Sequence, residues 1–426
     1  MKVIRIILLC ITLIVCKHKI YAQETLEITV EQAEKLFLGK NLQILAERYN
    51  IDIADATIVQ AKVLNNPTIG VGEINFWNPN AADELGLSQN SLGNRIVFSV
   101  ELEQIIRTAG KRRKLIDFEK TSKEITIQEF EAFLLSLKTE LRTNLHEAIY
   151  LQAYLETIQV LHKSIDDLVQ VYKNQVSAGN IAKSELIRLQ SSLIELETEA
   201  NELLVELHRL YKDLKILLNI APQTEISILP LTAAAKNPQE ILLSNLFEMA
   251  KQSRPEFLLS DLEIAYNEKL LVYEKSQRSP DVGLSINYDR YGGVWKNFVG
   301  GGVRFDIPTF YRNQGNIKMA QLKIEQSHYS AEYQKNTILH EIVEAYEHYT
   351  LIFNYYKKLM DNDFSEDLED MFEVYSRNFL NKNINMLEYI DFMYAYKTTK
   401  QAILIAKKNV DIHFVELQFS VNGNIN

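Results

Sequence analysis

The chain has 426 residues, of which 46% are apolar and 24% are charged, and this composition excludes a disordered chain. Its 56 acidic and 46 basic residues give a formal net charge of −10, which argues against nucleic acid as a partner. Only 15 glycines and 8 prolines occur along the whole length, so long uninterrupted helices are expected.

The N-terminal segment, residues 1–22, has the pattern of a secretory signal peptide. Two basic residues precede the apolar run 6–16, which is too short to cross a bilayer as a helix, and cleavage is expected after the last residue of the segment. Cys10 and Cys16 both lie in this segment, so the mature chain is expected to need no disulfide and no thiol chemistry. Attachment of a lipid at Cys16 is the alternative interpretation.

The rest of the chain repeats one unit, which consists of a helix, two strands and two long helices. The first repeat is expected to cover residues 23–238 and the second to cover 239–426. Three landmarks recur at similar offsets of 213, 205 and 203 residues, which indicates an internal duplication. These landmarks are Pro67 with Pro280, Gly110 with Gly315, and the segment 179–186 with 382–389.

Very long helices are expected because a long stretch without proline follows each pair of strands. At about 1.5 Å per residue, such a helix would be roughly 100 Å long. Apolar residues recur at spacings of three and four, as they do in helices that wind around each other. The helices are expected at about 31–65, 108–178, 181–220, 250–278, 312–380 and 384–420.

Apolar and polar residues alternate along the expected strands, so each strand has one apolar and one polar face. The strands are expected at about 67–76, 94–104, 280–290 and 297–307. Their length of about 9 to 11 residues suits a membrane barrel that is apolar outside and wet inside. The alternative is a small antiparallel sheet over a helical core, which the strands taken alone favour.

Four strands cannot close a barrel in lipid, because open edges leave backbone groups without hydrogen bonds. We therefore expect three copies of the chain to supply twelve strands. The expected fold is mainly α with a membrane β-barrel. It is a trimeric 12-stranded barrel, with four strands per chain, that continues into a periplasmic α-helical coiled-coil barrel.

The segments 102–118 and 305–321 are expected to form the junctions where a strand gives way to a long helix. In the second segment a proline stops the ladder and a polar turn redirects the chain into the helix. The expected junction residues are Gly110, Lys111 and Arg112 in the first half and Pro308, Arg312, Asn313, Gln314 and Gly315 in the second half.

Several segments carry a resemblance to a known family. The start ITVEQAEKLFLGKNLQI and the chain as a whole resemble the outer-membrane efflux factors, the TolC-like family of trimeric exit ducts. The junctions QIIRTAGKRRKLI and IPTFYRNQGNIKMAQ are similar to those of the CzcC-like subgroup, which serves cation-efflux pumps. The segment RPEFLLSDLEIAYNEKLLVYEKSQRSPDVGLS is similar to the same subgroup.

The resemblance implies a passive duct in the outer membrane of a Gram-negative bacterium that extends into the periplasm. It implies a homotrimer in outer-membrane lipid, a periplasmic membrane-fusion adaptor and an inner-membrane RND-type transporter as partners. The expected cargo is metal cations, with drug efflux or type I protein secretion as alternatives. A soluble periplasmic coiled-coil scaffold is the alternative from another class.

The resemblance also implies an acidic constriction just after the second helix turn, at Glu388 and Asp391. Their counterparts in the first half are Glu185 and Arg188, and the arginine departs from the acidic pattern. A ring of carboxylates from several copies would attract cations and resist anions. The alternative is that Glu388 and Asp391, three residues apart on a helix, are ordinary solvated surface.

No enzyme, cofactor or metal site is expected. His340 and His348 lie eight residues apart, whereas metal-ligand pairs on helices usually lie three or four apart. Met386 and Met393 near the second turn are interpreted as helix packing. The sequence contains no arrangement typical of Ser-His-Asp or Cys-His catalysis.

Overall fold

The computed structural model of the chain describes residues 25–72, 98–230, 236–292, 295–360, 364–381 and 383–425. The expected signal peptide lies outside these residues. The connection between the first two strands, residues 73–97, also lies outside them. The bounds below refer to the described ranges.

Each half of the chain contributes helices and strands in a similar order. The first half forms β1 (Thr25–Ile28), α1 (Val30–Lys40), α2 (Leu42–Lys62), β2 (Thr68–Gly72), β3 (Ser99–Ile106), α3 (Lys111–Ser177), α4 (Lys183–Leu218) and β4 (Glu225–Ile228). A short 3₁₀ turn, Pro238–Glu240, precedes the helices of the second half. The second half forms α5 (Leu243–Ser253), α6 (Pro255–Ser276), β5 (Val282–Gly292), β6 (Trp295–Phe305), α7 (Gln314–Met360), α8 (Phe364–Leu380) and α9 (Met386–Val421).

The first helix of each repeat is broken, so the expected single helices over 31–65 and 250–278 were wrong. The breaks fall at Asn41 and Arg254, whose backbones are extended. Asn41 is buried, donates from Nδ2 to the Leu217 carbonyl at 2.8 Å and accepts the Ile44 N–H at 2.9 Å, which caps α2. A polar side chain that binds a distant backbone carbonyl stabilises each break, and no local sequence signal reports such a partner.

Arg254 occupies the equivalent break in the second half. Its guanidinium is buried and donates to the Ser420 carbonyl at 3.0 Å and to Glu341 at 2.5 Å. The two acceptor carbonyls, Leu217 and Ser420, occupy equivalent places near the ends of α4 and α9. The two halves therefore share the position of the break and use different side chains to hold it.

The long helices of the two halves match at a constant offset of 203 residues. The expected helix over 312–380 is described as α7 and α8, with residues 361–363 outside the described ranges. A constant offset over about a hundred residues confirms that the unit is duplicated. The matching positions are the starts Lys111 with Gln314 and Lys183 with Met386, the ends Ser177 with Leu380 and Leu218 with Val421, and the left-handed caps Asn219 with Asn422.

The chain divides into two compact units, and each contains parts of both repeats. The sheet unit comprises the described residues of Glu47–Ala132 and Pro255–Ile338. The helix-turn unit comprises the described residues of Met1–Ala46, Phe133–Arg254 and Leu339–Asn426.

The sheet unit contains a four-stranded antiparallel sheet in the order β2-β3-β5-β6. Its helices lie side by side in the corresponding order α2-α3-α6-α7. Contacts between neighbouring helices establish that order. They are the ion pair of Asp55 with Lys123 at 2.7 Å, the hydrogen bond from Lys269 to the Thr121 hydroxyl, and the ion pair of Asp261 with Lys335 at 2.5 Å.

The helix-turn unit has a core of helix side chains beside a small parallel sheet formed by β1 and β4. The apolar residues that recur along α4 include the buried Leu196, Leu207, Leu210, Leu214 and Leu217. The parallel pair was not expected, because four-residue strands far apart in sequence carry no periodic signal long enough to detect.

Candidate functional sites: the sheet, its junctions and the helix turns

The sheet has one apolar face that is open to the surroundings. Cross-strand partners such as Ile69 with Leu102, and Leu102 with Ile286, place apolar residues of all four strands on this face. Their exposed fractions lie between 44% and 68%, which is unusual for so many large apolar side chains together. The members are Ile69, Val71, Leu102, Leu284, Ile286, Val299, Val303 and Phe305.

The opposite face of the sheet is polar. Arg304 donates to Glu103 at 3.3 Å and lies 4.0 Å from Glu101, so a cation on β6 meets two carboxylates on β3. Gly283 lies between them, and a Cβ there would come within 2.6 Å of a Glu103 carboxylate oxygen. The glycine therefore leaves the space that this ion pair occupies.

The first junction is held by a carboxylate from the other half of the chain. Gly110 adopts a φ of +67° immediately before α3, and Ala109 adopts +53°. Asp281, at the start of β5, accepts the Thr108 N–H at 3.0 Å and the buried Lys111 ammonium at 2.7 Å. The predicted residues Gly110 and Lys111 thus form the turn and its anchor, whereas Arg112 is exposed on the first turn of α3.

The second junction is organised around Asn313. This residue has a φ of +56°, is 5% exposed, and donates from Nδ2 to the backbone carbonyl of Glu274 at 3.0 Å. Arg312 donates to the Pro308 carbonyl at 3.1 Å and, through its N–H, to the Gln314 side chain at 2.8 Å. Four of the predicted residues are therefore brought together here.

The expected equivalence of Gly110 with Gly315 was wrong. Gly315 is the second residue of α7 and is not among the residues of positive φ. At the constant offset of the long helices, Gly110 corresponds to Asn313, and both adopt the left-handed conformation that glycine and asparagine tolerate best.

The two glycines lead to opposite predictions for the same substitution. Gly110→Ala is expected to destabilise the protein by about 1 to 2 kcal/mol, because a Cβ is strained at positive φ. Gly315→Ala is expected to stabilise it by about 0.5 to 1 kcal/mol, because the position is helical and no atom lies within 4 Å of the new Cβ. Urea unfolding of the detergent-solubilised protein measures both, and equal signs would contradict the assignment.

The helix turns that follow α3 and α8 have matching geometry. Asn180 donates its N–H to the Gln175 carbonyl at 2.9 Å, and Asn383 donates its N–H to the Asn378 carbonyl at 2.9 Å. Their side-chain amides repeat the match, at 2.9 Å to Gln175 and 3.2 Å to Asn378. The turns are therefore closed by the asparagines themselves, as is common at helix C-termini.

The predicted aperture residues lie just after these turns and are exposed. Glu388 closes a capping box with Asn385, since its carboxylate accepts the Asn385 N–H at 3.1 Å and its N–H donates to the Asn385 side chain at 3.0 Å. Asp391 is exposed on the next turn of α9, and Glu185 is exposed on the first turn of α4. Glu388 therefore has a structural role that its spacing from Asn385 could have indicated.

The second helix turn packs on the first through a run of aromatic rings. Tyr172 stacks on Phe379 with ring centroids 6.0 Å apart, and Phe379 stacks on Tyr389 at 4.5 Å. The fully buried Tyr389 shares a hydrogen bond of 2.9 Å with the Ser164 hydroxyl. A groove of about 510 Å³ next to this stack is lined by Tyr172, Glu185, Arg188 and Asn385.

A buried ion pair links α9 to α4 further along. Lys397 is 9% exposed, and its ammonium lies 2.7 Å from the Glu199 carboxylate and 3.8 Å from Glu195. The Tyr154 hydroxyl donates to the other oxygen of Glu199. Burial, together with the Glu199 carboxylate, raises the pKa of Tyr154. Sequence inspection missed this set because its members lie on three helices far apart in the chain.

The histidines considered from sequence have separate surroundings. His348 lies beside His413, with ring centroids 5.8 Å apart, and His340 is exposed. In the described ranges, no three His, Cys, Asp or Glu side chains are placed to hold a metal ion together.

None of the helices within the described part of the chain is both long and apolar enough to cross a membrane.

Comparison with known proteins places these features in context. Residues 35–214, less than half of the chain, match the family described as outer membrane efflux protein. The cobalt-zinc-cadmium resistance protein CzcC of Cupriavidus metallidurans is 23% identical over 298 residues. That match covers 69% of this chain and 66% of CzcC, which is just under two thirds of the relative.

Solved structures share the fold. The outer membrane channel CmeC of Campylobacter jejuni superposes with a TM-score of 0.73 at 14% identity, over 92% of this chain and 85% of CmeC. CusC superposes with a TM-score of 0.70 at 14% identity, over 93% of this chain and 92% of CusC. The duplicated helix and strand arrangement is thus the fold that these channels share, which confirms the mainly helical fold with few strands expected from the sequence.

The family match and the shared fold agree with the resemblance noted in the sequence. Both the matching family and CmeC are outer-membrane proteins. The resemblance to outer-membrane efflux factors, including the CzcC-like subgroup, is confirmed.

Proposed function

We propose that the chain forms the outer-membrane exit duct of a tripartite efflux system and conducts substrate passively to the exterior. The sheet is the observation that supports this most directly. Its exposed apolar face suits the lipid of the outer membrane, and its polar face, with Arg304 and Glu103, suits a water-filled lumen. A soluble scaffold would leave this large apolar face in water at a cost of about 25 cal/mol per Å².

The open edges of the sheet support a homotrimer. Within the described residues β2 and β6 each pair with one strand only, so each leaves one edge without a partner. In lipid such edges must pair with other strands, and joining the edges of three copies gives the expected 12-stranded barrel. The long helices of the same copies then continue the passage into the periplasm.

The proposed cargo is metal cations, delivered by a periplasmic membrane-fusion adaptor and an inner-membrane RND-type transporter. The similarity to CzcC, a cobalt-zinc-cadmium resistance protein, supports this cargo. The fold itself accommodates many cargoes, because the pump selects the substrate. The exposed acidic residues after the helix turns suit cations electrostatically.

Glu388, Asp391 and Glu185 form the proposed periplasmic aperture. Three copies would bring three of each carboxylate around one axis, and carboxylate rings favour cations over anions. The capping box makes the choice of substitution important. Glutamine retains both hydrogen bonds of the box while removing the charge, whereas alanine removes the bond from the Asn385 N–H and keeps only the one that the backbone N–H of residue 388 donates.

Single-channel recording in planar bilayers tests the duct and its aperture together. The purified protein should insert from detergent as a conducting trimer, and the double variant Glu388→Gln/Asp391→Asn should lose cation preference several-fold. Glu248→Gln serves as the matched control, because Glu248 is an exposed acid that pairs with the surface Lys251, and it should leave selectivity unchanged. A monodisperse monomer in detergent-free buffer would contradict the duct. Unchanged selectivity in the double variant would remove the aperture.

A further inference from the structure

Two histidine rings from separate helices lie side by side in the helix-turn unit. His348 is on α7 and His413 is on α9, and their ring centroids are 5.8 Å apart. The next residue on each helix fixes this distance, because the fully buried Tyr349 packs on Phe414 with ring centroids 5.3 Å apart. The fold therefore pairs His348 with a histidine on another helix, and not with His340, which is the neighbour considered from the sequence.

A carboxylate determines which nitrogen of the His413 ring carries the proton. Glu416, one turn further along α9, places a carboxylate oxygen 2.6 Å from His413 Nδ1. A carboxylate only accepts hydrogen bonds, so Nδ1 carries the proton and donates it. In the neutral ring Nε2 then keeps the lone pair that binds a metal ion. A carboxylate behind a histidine also makes the ring a more basic ligand, so His413 is oriented as metal-binding histidines usually are.

The second ring of the pair is exposed to solvent. Within the described residues, the His348 ring makes no hydrogen bond and no ion pair. It can therefore turn either of its nitrogens towards His413 without breaking a hydrogen bond. The charged residues closest to it along α7 are the exposed acids Glu344 and Glu347, and nearby negative charge favours the approach of a divalent cation.

The separation of the two rings suits one shared metal ion. Zinc–nitrogen bonds are about 2.0 to 2.1 Å long, and a ring nitrogen lies about 1.2 Å from its centroid. One ion between two rings therefore holds their centroids about 5 to 6 Å apart, when the angle at the metal is about 110° to 130°. The observed 5.8 Å falls in this range. Water completes the coordination, because within the described ranges no third His, Cys, Asp or Glu converges on the pair.

We propose that His348 and His413 together bind one divalent transition-metal ion of the kind that imidazole prefers, namely Cu²⁺, Ni²⁺ or Zn²⁺, and that Glu416 is the positioning residue for His413. Copper is expected to bind most tightly, because the affinity of nitrogen ligands rises from cobalt through nickel to copper. The bound ion ties α7 to α9. Both ligands belong to one chain, so the site goes beyond the proposed duct and does not depend on it.

Pulsed electron paramagnetic resonance of bound Cu²⁺ tests the site, because it counts the imidazole rings that coordinate the ion. The mature chain, purified in detergent without a histidine tag, should show two rings when half an equivalent of Cu²⁺ per chain is added. His348→Gln and His413→Gln should each show no more than one ring. Each of these variants should also bind Cu²⁺ at least tenfold more weakly, as measured by calorimetry.

The matched control removes a different histidine from the same helix. His340 is exposed and lies about two turns before His348 on α7. His340→Gln should therefore keep both coordinating rings and the affinity of the unmodified chain for Cu²⁺. A single ring in the unmodified chain, or two rings that persist in either His348→Gln or His413→Gln, would overturn the site.

Urea unfolding with Zn²⁺ gives a second measurement that does not use copper. Only the folded chain brings the two rings together, so Zn²⁺ should raise the urea midpoint of the unmodified chain, and EDTA should reverse the rise. Losing either ring should abolish this rise as completely as losing both, because one ring cannot form the bridge. Glu416→Gln should weaken Zn²⁺ binding about tenfold. Equal midpoints of all variants in EDTA establish that they fold alike, and a rise that both single histidine variants retain would contradict the bridge.

Discussion

Replacement of Lys397 by methionine is expected to lower the free energy of unfolding by about 2 to 4 kcal/mol. The lysine side chain is 11% exposed and lies 2.7 Å from the Glu199 carboxylate, which is itself largely buried. Removing the ammonium leaves that carboxylate with the Tyr154 hydroxyl and the more distant solvent to stabilise its charge. Urea unfolding in detergent measures the loss.

Two further variants separate the buried pair from its packing. Lys397→Met/Glu199→Gln removes both charges, and the glutamine can still accept the Tyr154 hydroxyl, so most of the lost stability should return. Lys251→Met breaks the exposed pair with Glu248 and should change stability by less than about 0.5 kcal/mol. If the double variant were as unstable as Lys397→Met alone, the loss would come from packing and the explanation by an uncompensated charge would be wrong.

Asp411→Asn and His146→Gln are expected to give stability profiles of opposite slope with pH. The two groups lie 3.6 Å apart. Burial, with a smaller effect of the Arg142 guanidinium, lowers the pKa of His146 from 6.5 to about 4. Burial raises the pKa of Asp411 from 3.8 to about 6, against the opposing effect of Lys407.

The sign of each contribution follows from which state holds the proton. The unfolded chain protonates His146 near pH 6.5, whereas the folded protein does so near pH 4, so this contribution is present at neutral pH and is lost as the pH falls between those values. The folded protein keeps the Asp411 proton up to about pH 6, so that contribution is present at low pH and is lost as the pH rises towards 6.

In the unmodified protein these two contributions oppose each other, and stability should change little with pH on their account. Asp411→Asn leaves only the His146 contribution, so its stability should rise by about 2 to 3 kcal/mol from pH 4 to pH 6.5. His146→Gln leaves only the Asp411 contribution, so its stability should fall by a similar amount from pH 4 to pH 6. Urea unfolding at a series of pH values measures both stability profiles. Profiles that change in the same direction with pH in the two variants would contradict the assignment of these pKa shifts to burial of both groups.

The duplicated unit has kept its backbone geometry while its side chains have diverged. Gly110 and Asn313 both adopt a positive φ at equivalent junctions. Asn41 and Arg254 stabilise equivalent helix breaks. In each pair one residue is small or neutral and the other is larger and binds a further partner, such as Glu274 for Asn313. The offset is constant because a change in helix length would shift every later contact along the helix. A side chain can change as long as the backbone group that it binds keeps a hydrogen-bond partner.

Much of the candidate site was predictable from local patterns, and some of it was not. Pro308 and the polar turn after it marked the second junction, because proline fixes its own φ and removes a hydrogen-bond donor. Gly315 was misassigned because a glycine in sequence does not show its own φ. Asp281 was overlooked because its partner Lys111 lies 170 residues away, and no local signal connects them.

The sequence by itself determined the long helices, the four alternating strands, the duplication and the resemblance to outer-membrane efflux factors, because these depend on periodicity and on residues near one another in the chain. Only the tertiary structure decided the helix breaks at Asn41 and Arg254, the anchors of both junctions and the buried pair of Lys397 with Glu199. The physical reason is that a buried polar group requires a partner, and that partner is chosen by proximity in space rather than along the chain.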